Sequence, residues 1–140
     1  MQKMNNKNKI FIDKLRSSGL RPTKQRVEIS KFLFNRKKTF HFTVEELKNS
    51  MNLKRAKKIS TATFYNTVHA LKSSGHLKEF SLENNTSYYD TNIISHHHFF
   101  DNGKVIDIKS DKITFKKLPD APKGKKIKNV EVVIRLENNN

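Results

Sequence analysis

The stretch from Ser60 to Ser74 constrains the fold most, because it carries a complete helix pattern with its own start and stop signals. Ser60 can cap the first turn, since its hydroxyl can accept a hydrogen bond from an unpaired backbone amide. Gly75 can end the helix in the left-handed conformation without a steric penalty. The stretch therefore predicts one helix, and the rest of the chain can be placed around it.

The two faces of this predicted helix differ in chemistry. Phe64, Val68 and Leu71 recur at i, i+4 and i+7 and predict a narrow apolar stripe. The opposite face carries polar side chains and no acid, namely Tyr65, Asn66, His69 and Ser73. Such groups can read base edges and contact thymine methyl groups in a major groove. The alternative is an ordinary amphipathic helix with a solvated polar face.

The distribution of charge favours the nucleic-acid interpretation. The chain has 29 Lys and Arg against 13 Asp and Glu, a formal net charge of +16. Residues 1–80 hold 19 of these cations and 5 of the acids, whereas residues 81–140 hold 10 and 8. This asymmetry predicts two domains, 1–90 and 91–140, of which the first meets a polyanion. Solubility alone is the competing explanation for the basic half.

Several classes of protein are excluded by what the sequence lacks. There is no Cys, which rules out disulfides, thiolate zinc sites and cysteine nucleophiles. No secretory signal follows the N-terminus, and no apolar run reaches the roughly 18 residues that a membrane span needs. We therefore expect a cytoplasmic protein with no membrane partner. A second domain of about 55 residues without disulfides is marginal alone, so we also expect a partner subunit.

The first half predicts helices followed by a hairpin. Helices end near Ser18 and Asn35, with Gly19 as a stop and Thr23 as a cap, and one face of the first carries Ile10, Phe11 and Leu15. Residues 36–42 form a turn. Thr43 and Glu46 form a capping box that opens a helix running to about Asn52. The cationic segment 54–58 then leads into the Ser60 helix, and strands 77–82 and 87–89 flank an Asn-type turn at 83–86. This layout is typical of a winged helix-turn-helix.

The second half predicts a small α/β dimerisation domain, so the overall fold class is α+β. Strand patterns cover 96–100, 104–108, 113–115 and 127–136, and a tight turn joins the first two at 101–103. The segment 118–124 holds two prolines and a glycine, which exclude a long helix.

A run of three histidines opens this second half. Neighbouring side chains on a strand point to opposite faces, so His96 and His98 share one face and His97 lies on the other. Asp107 follows on the adjacent strand. The candidate ligands are His41, Asp90, His96, His98 and Asp107, with His97 available to a second site. Imidazole suits zinc, iron, nickel and copper, and it is the usual axial ligand of haem. The alternative is a polar strand whose imidazoles only form hydrogen bonds.

The chain resembles the ferric uptake regulator (Fur) family along residues 10–136. The matching motifs, in order, are GLRPTKQR at 19–26, TVEEL at 43–47, STATFYNTV at 60–68, SGHLKE at 74–79, HHH at 96–98 and GKVID at 103–107. Within the family it is most similar to the iron response regulator branch. The signs are YNT in the reading helix, HHHFF, LPDAPKG at 118–124 and VEVVIRL at the end.

The resemblance implies a dimeric regulator of iron and haem metabolism that binds AT-rich pseudo-palindromic operators. It implies that Tyr65 contacts thymine, and that Asn66, where many Fur proteins carry arginine, selects a different operator. It places His41, Asp90, His98 and Asp107 at or near the regulatory metal site that joins the two domains. It also implies that haem acts through the histidine run. We predict that DNA is contacted by Arg21, Lys57, Lys58, Ser60, Thr61, Thr63, Tyr65 and Asn66.

The function predicted from the sequence is therefore a haem-responsive DNA-binding regulator and not an enzyme. The nearest alternative is a regulator that responds directly to Fe2+, Mn2+ or Zn2+. A metallohydrolase using the His/Asp cluster is a rival, although no general base or nucleophile is evident beyond the ligands. A basic RNA-binding protein is a third possibility, and it predicts no preference between duplex sequences.

Overall fold

The computed structural model describes residues 6–82 and 85–139. The chain divides into two compact units, residues 1–93 and residues 94–140, which are described separately below. Together the described residues give an α+β architecture in which α-helices precede most of the strands.

The first unit contains four α-helices and a three-stranded sheet in its described part. The helices are α1 (Lys9–Ser17), α2 (Lys24–Phe34), α3 (Val44–Asn52) and α4 (Thr61–Ser73). The strands are β1 (His41–Phe42), β2 (Lys78–Ser81) and β3 (Ser87–Asp90). The sheet order is β1-β3-β2, and both pairings are antiparallel.

The predicted helix caps of this unit are confirmed. Thr23 accepts a hydrogen bond from the Arg26 amide at 3.4 Å. Thr43 and Glu46 form the complete capping box, with the Glu46 amide 3.1 Å from the Thr43 hydroxyl and the Thr43 amide 3.3 Å from the Glu46 carboxylate. These bonds satisfy amides that have no partner within their own helix. Local sequence thus determined where α2 and α3 begin.

The core of the first unit is apolar and draws on α2, β1, α3, α4 and β3, together with two residues of the connecting segments. Its buried members are Ile29, Leu33, Phe42, Val44, Leu47, Ile59, Phe64, Val68, Leu71, Leu77 and Tyr89. Of the three residues predicted to share one face of α1, Phe11 and Leu15 are buried, whereas Ile10 is 65% exposed. The predicted turn at 36–42 ends in strand β1, because His41 and Phe42 pair with Asp90 and Tyr89. Such pairing is long-range and leaves no local signal. Residues 83 and 84 of the predicted Asn-type turn lie outside the described residues.

The second unit is built on a sheet of three strands. They are β4 (His96–Asp101), β5 (Lys104–Lys109) and β6 (Val133–Arg135), with a 3-10 helix at Ser110–Lys112. The order is β5-β4-β6, in which β5 runs antiparallel and β6 parallel to β4. Asn102 and Gly103 both have positive φ angles, of 45° and 91°. This is the conformation of a two-residue hairpin turn, so the predicted tight turn is confirmed.

Three predictions for the second unit were wrong. No strand covers 113–115, and of the predicted strand 127–136 only Val133–Arg135 pairs, opposite His98–Phe100. A β-branched run forms a strand only where a partner strand offers backbone groups, and β4 offers its edge over three residues. Residues 94–139 contain no α-helix, although the sequence led us to expect an α/β unit.

Candidate nucleic-acid interface and metal cluster

Helix α4 is fixed in the first unit by its apolar stripe. Ser60 caps it as predicted, accepting from the Thr63 amide at 3.1 Å, and Gly75 follows its end with a φ of 86°. Phe64, Val68 and Leu71 are at most 1% exposed. Because the buried stripe is tightly packed, the opposite face has one orientation relative to the core.

The outer face of α4 is exposed and carries no acid. Tyr65 is 47% exposed, and Asn66, His69 and Ser73 are also exposed. These are the four side chains that the sequence predicted to point outward. Together they offer hydroxyl, amide and imidazole groups over about two turns of helix.

The eight residues predicted to contact DNA all lie on the first unit, and seven of them are exposed: Arg21, Lys57, Lys58, Ser60, Thr61, Tyr65 and Asn66. Thr63 is half-buried, and its hydroxyl lies 2.8 Å from that of Ser60. The Lys58 ammonium donates to the Asn52 backbone carbonyl at 2.5 Å. Thus Ser60, Thr63 and Lys58 also have structural partners, whereas the outer face of α4 is available to a ligand.

A polar network that sequence reasoning missed ties the β2–β3 ribbon to α4. The Lys72 ammonium lies 3.2 Å from the Glu79 carboxylate, and the Ser87 hydroxyl donates to that carboxylate at 2.7 Å. The hydrogen bond from Ser87 lowers the pKa of the Glu79 carboxyl below its usual range, and Lys72 adds to the effect. The β2–β3 register pairs Glu79 with Tyr89 and makes Ser87 its diagonal neighbour, so no local pattern could have revealed this contact.

His41, which is half-buried, pairs with the buried Asp90 in the first unit. The β1–β3 register places them opposite one another, and His41 Nε2 lies 3.1 Å from Asp90 Oδ2. Asp90 is fully buried, and its other carboxylate oxygen accepts from the Asn92 amide at 2.8 Å. A buried carboxylate is costly unless it is paired, so this pairing explains how Asp90 is tolerated.

His96, His98 and Asp107 converge in the second unit and are called here the His-Asp cluster. The β4–β5 register places His98 opposite Asp107, and His96 lies on the same face of β4. Asp107 Oδ1 lies 3.2 Å from His96 Nε2 and 3.5 Å from His98 Nε2. Both histidines are buried, and Asp107 is half-buried. The prediction that His96 and His98 share a face is therefore confirmed.

The geometry of the His-Asp cluster fits a compact metal ion. Ligand bonds of about 2.1 Å around a tetrahedral ion place neighbouring donor atoms about 3.4 Å apart, which is the spacing observed here. His96 Nδ1 lies 2.5 Å from the Ile94 carbonyl oxygen and must therefore be the donor. In neutral His96 the Nε2 lone pair then faces the Asp107 carboxylate, an unfavourable arrangement that a cation between them relieves. A histidine ligand commonly has such a carbonyl partner on its other nitrogen.

His97 lies on the opposite face of β4 and does not join the cluster. Its Nδ1 accepts a hydrogen bond from the Val132 amide at 3.0 Å, and its ring contacts Phe115 edge-on at 5.9 Å between centroids. The structure therefore places the three predicted histidines in two different environments, with His96 and His98 beside Asp107 and His97 on the opposite face of the strand. His97 ties β4 to the segment that enters β6.

The sequence matches the profile of one protein family over most of its length. That profile is described as the ferric uptake regulator family, and it matches residues 17–135. The chain belongs to the ferric uptake regulator family. Fur-family proteins are dimeric, DNA-binding, metal-responsive transcription regulators and not enzymes. The search of curated proteins found no match.

Solved Fur structures share the fold of this chain. The Pseudomonas aeruginosa ferric uptake regulator with manganese is 16% identical, with a TM-score of 0.65, covering 94% of this chain and 99% of its own. The Helicobacter pylori Fur structure, whose description names three functional metal-binding sites, is 18% identical, with a TM-score of 0.62 and coverages of 97% and 95%. The Francisella tularensis regulator with iron is 19% identical, with a TM-score of 0.62 and coverages of 84% and 91%. At these identities the likeness establishes the fold.

No helix among the described residues has both the length and the apolar character needed to cross a bilayer. Both of the sequence-predicted ligand groups, the pair in the first unit and the cluster in the second, are present with their donor atoms at short range.

Proposed function

We propose that the chain is a dimeric, sequence-specific DNA-binding transcription regulator of the cytoplasm whose activity depends on a divalent metal ion. The observation that carries this proposal is the acid-free outer face of α4, held by a buried stripe in a unit rich in Lys and Arg. Family membership supports the regulator class. The domain roles follow, with residues 1–90 binding DNA as a winged helix-turn-helix and residues 91–140 pairing subunits and sensing metal.

In this proposal α4 enters the major groove and the β2–β3 ribbon flanks the DNA backbone. Tyr65 contacts a thymine, and the Asn66 amide reads a base edge through two hydrogen bonds. Arg21, Lys57 and Lys58 contact phosphates, with Ser60, Thr61 and Thr63 beside them. Phosphate contacts supply affinity without sequence preference, so binding weakens steeply as salt is raised. The operator is an AT-rich pseudo-palindrome, as the family resemblance implies.

The test begins with duplexes selected by the protein from a randomised pool, because the operator is unidentified. Asn66→Ala should lower the preference for the selected sequence over a scrambled one by about 1–3 kcal/mol per half-site. Lys57→Gln is the matched control, since loss of a phosphate contact weakens both duplexes equally and lowers the salt slope by about 1. Equal weakening of both duplexes by Asn66→Ala would remove its reading role.

The effector proposal favours a divalent ion, Fe2+, Mn2+ or Zn2+, bound by His96, His98 and Asp107. Donor spacing and the fixed tautomer of His96 support it. These three side chains would hold the ion, which would supply positive charge between the two imidazoles and the Asp107 carboxylate. We propose that His41 and Asp90 take part in the same response, as the resemblance implies.

Anaerobic titration with each metal ion tests this assignment. Asp107→Asn and His98→Ala should each weaken binding at least about tenfold, the effect of losing a ligand or its support. His97→Gln is the control, because glutamine can still accept from Val132 and leaves the cluster intact. His41→Ala tests whether the first unit takes part in metal binding, since it should then lower the affinity for the same metal ion. A metal affinity that depends on His97 but not on His98 would overturn the assignment.

Haem is the second candidate effector and belongs with the proposed iron response regulator branch. Its support is the run of three imidazoles in a family linked to iron. With His97 bonded to Val132, the axial ligand would have to come from His96 or His98. Haem titration with and without a His96/His97/His98→Ala triple substitution tests it. A Soret band that the triple variant leaves unchanged would exclude the histidines as ligands.

A further inference from the structure

The turn between α3 and α4 is closed by one buried side chain, Asn52. This residue ends α3 and is 9% exposed. Its amide nitrogen donates to the Ile59 carbonyl at 3.0 Å, and its amide oxygen accepts from the Ile59 N–H at 2.9 Å. The side chain thus pairs with both backbone groups of Ile59, much as a residue in a neighbouring strand would.

The position of Ile59 gives this bridge its importance. Ile59 is 1% exposed and directly precedes Ser60, the residue that caps α4. A helix turns about 100° and rises about 1.5 Å with each residue, so a small shift at its start changes which side chains face outward. The two bonds to Ile59 therefore hold the start of α4 at a defined height and rotation.

Three further contacts of cationic side chains hold the same turn. Lys58 donates from its ammonium group to the Asn52 backbone carbonyl, which has no partner inside α3. Arg55 donates to the Lys57 carbonyl at 3.0 Å and forms an ion pair with Glu28 of α2. The segment between Asn52 and Ile59 carries four cations and no acid, so its charges repel one another. Fixed partners are needed to keep such a segment in one conformation.

We propose that Asn52 is a positioning residue for DNA reading: by bridging Ile59 it sets the register in which α4 presents Tyr65 and Asn66. This inference rests on the proposed function of α4. Asn52 lies in the interior and acts through Ile59 rather than through the nucleic acid. An apolar side chain of the same size would leave a buried N–H and a buried carbonyl without partners, which is costly.

The test compares Asn52→Leu, Asn52→Asp and wild type in the full-length chain. Asn52→Leu removes both bonds and should lower the preference for pool-selected over scrambled duplex about tenfold, the size expected for losing two net hydrogen bonds. Asn52→Asp keeps an acceptor for the Ile59 amide, so its preference for the selected duplex should lie between those of wild type and Asn52→Leu. Ile29→Val is the control, because it removes one methylene from the core that also holds Ile59 but leaves the hydrogen bonds of the turn in place, so it should change the preference less than about twofold.

A folded Asn52→Leu variant with wild-type discrimination would overturn the proposal, and so would an equal loss in Ile29→Val. If Asn52→Leu does not fold, the intermediate loss expected for Asn52→Asp decides the matter. Native-state hydrogen exchange distinguishes a failure of the Asn52 proposal from a failure of the proposed function of α4. Should wild type itself ignore duplex sequence, the reading role of α4 fails. The bridge from Asn52 to Ile59 is then tested by hydrogen exchange alone. The Ile59, Thr63 and Phe64 amides must exchange at least about tenfold faster in Asn52→Leu than in wild type.

Discussion

The two units bury different kinds of side chain. The first buries a continuous set of aliphatic and aromatic residues, with Leu33, Phe42, Leu47, Phe64 and Leu71 fully inaccessible. In the second, the buried described residues are Phe100, Ile108 and the three histidines. Apolar burial stabilises a unit without help, whereas buried imidazoles beside a carboxylate need hydrogen bonds, a metal ion or both. We therefore expect the first unit to be stable by itself and the stability of the second to depend on what it binds.

One exposed face of each unit also differs in character. The outer face of α4 in the first unit is polar, whereas Ile106, Phe115, Ile127, Ile134 and Leu136 of the second unit are each at least 38% exposed. Phe99 lies between Ile106 and Ile134 in the strand register, so these three share one face of the sheet. Such a row is suited to the subunit pairing that we propose for this unit.

The largest expected effect tests the apolar core of the first unit. Phe64→Ala should lower the free energy of unfolding by about 3–5 kcal/mol, because it empties a fully buried site. Tyr65→Ala, at the neighbouring exposed position, should change it by less than about 0.5 kcal/mol while weakening DNA binding. Denaturant titration of both variants measures the difference. A loss of unfolding free energy in Phe64→Ala that is smaller than the loss in Tyr65→Ala would contradict the burial of the Phe64 face of α4 in the core.

The next effect tests the dependence of the second unit on metal. A metal ion at about 100 times its Kd should stabilise that unit by about 2.7 kcal/mol. The increase should vanish in His98→Ala and persist in His97→Gln. Hydrogen exchange of the β4 and β5 amides, with and without metal, reports on this unit alone. Equal protection in both conditions would mean that the unit is stable without an ion.

A smaller effect tests the capping box at the start of α3 in the first unit. Thr43→Ala should cost about 1 kcal/mol, because it removes the hydroxyl that satisfies the Glu46 amide. Glu46→Gln preserves a side-chain acceptor for the Thr43 amide and should cost only a few tenths of a kcal/mol. Thermal unfolding of the pair separates the cap from the charge. If the two variants lose similar amounts of stability, the negative charge of Glu46 rather than the Thr43 hydroxyl bond would be the main source of stabilisation.

The smallest effect concerns pH. Burial lowers the pKa of His76 below its ordinary value, and nearby Lys14 adds to this, while Ser17 Oγ lies 2.8 Å from His76 Nε2. The unfolded chain therefore binds more protons than the folded one between the two pKa values, so stability falls as pH drops through that window. We expect a smaller loss between about pH 7.5 and about pH 5.5 in His76→Asn than in wild type. An unchanged pH profile would show that His76 does not contribute.

Sequence reasoning succeeded where the deciding contacts are local. The caps at Thr23, Thr43 and Ser60 lie within three residues of their partners, so their residue types predicted the helix starts. The faces of α4 and the alternation of His96, His97 and His98 follow from fixed backbone periods. The family was also recognisable, because its motifs are short and lie in a fixed order along the chain.

Reasoning from sequence failed where pairing between distant segments decides the outcome. The predicted strand 127–136 shrank to three residues because β4 accepts only Val133–Arg135, and β1 formed inside a predicted turn because β3 was beside it. The links from Glu79 to Ser87 and from His97 to Val132 likewise depend on register.

By itself the sequence determined the helix starts, the charge asymmetry, the ligand types and the family, since each depends on residue identity or on spacing of a few positions. Only the tertiary structure decided which strands pair, which histidines face Asp107 and which side chain closes the turn before α4. Those outcomes depend on backbone groups that become neighbours after folding, and hydrogen bonds between them carry no trace in local sequence.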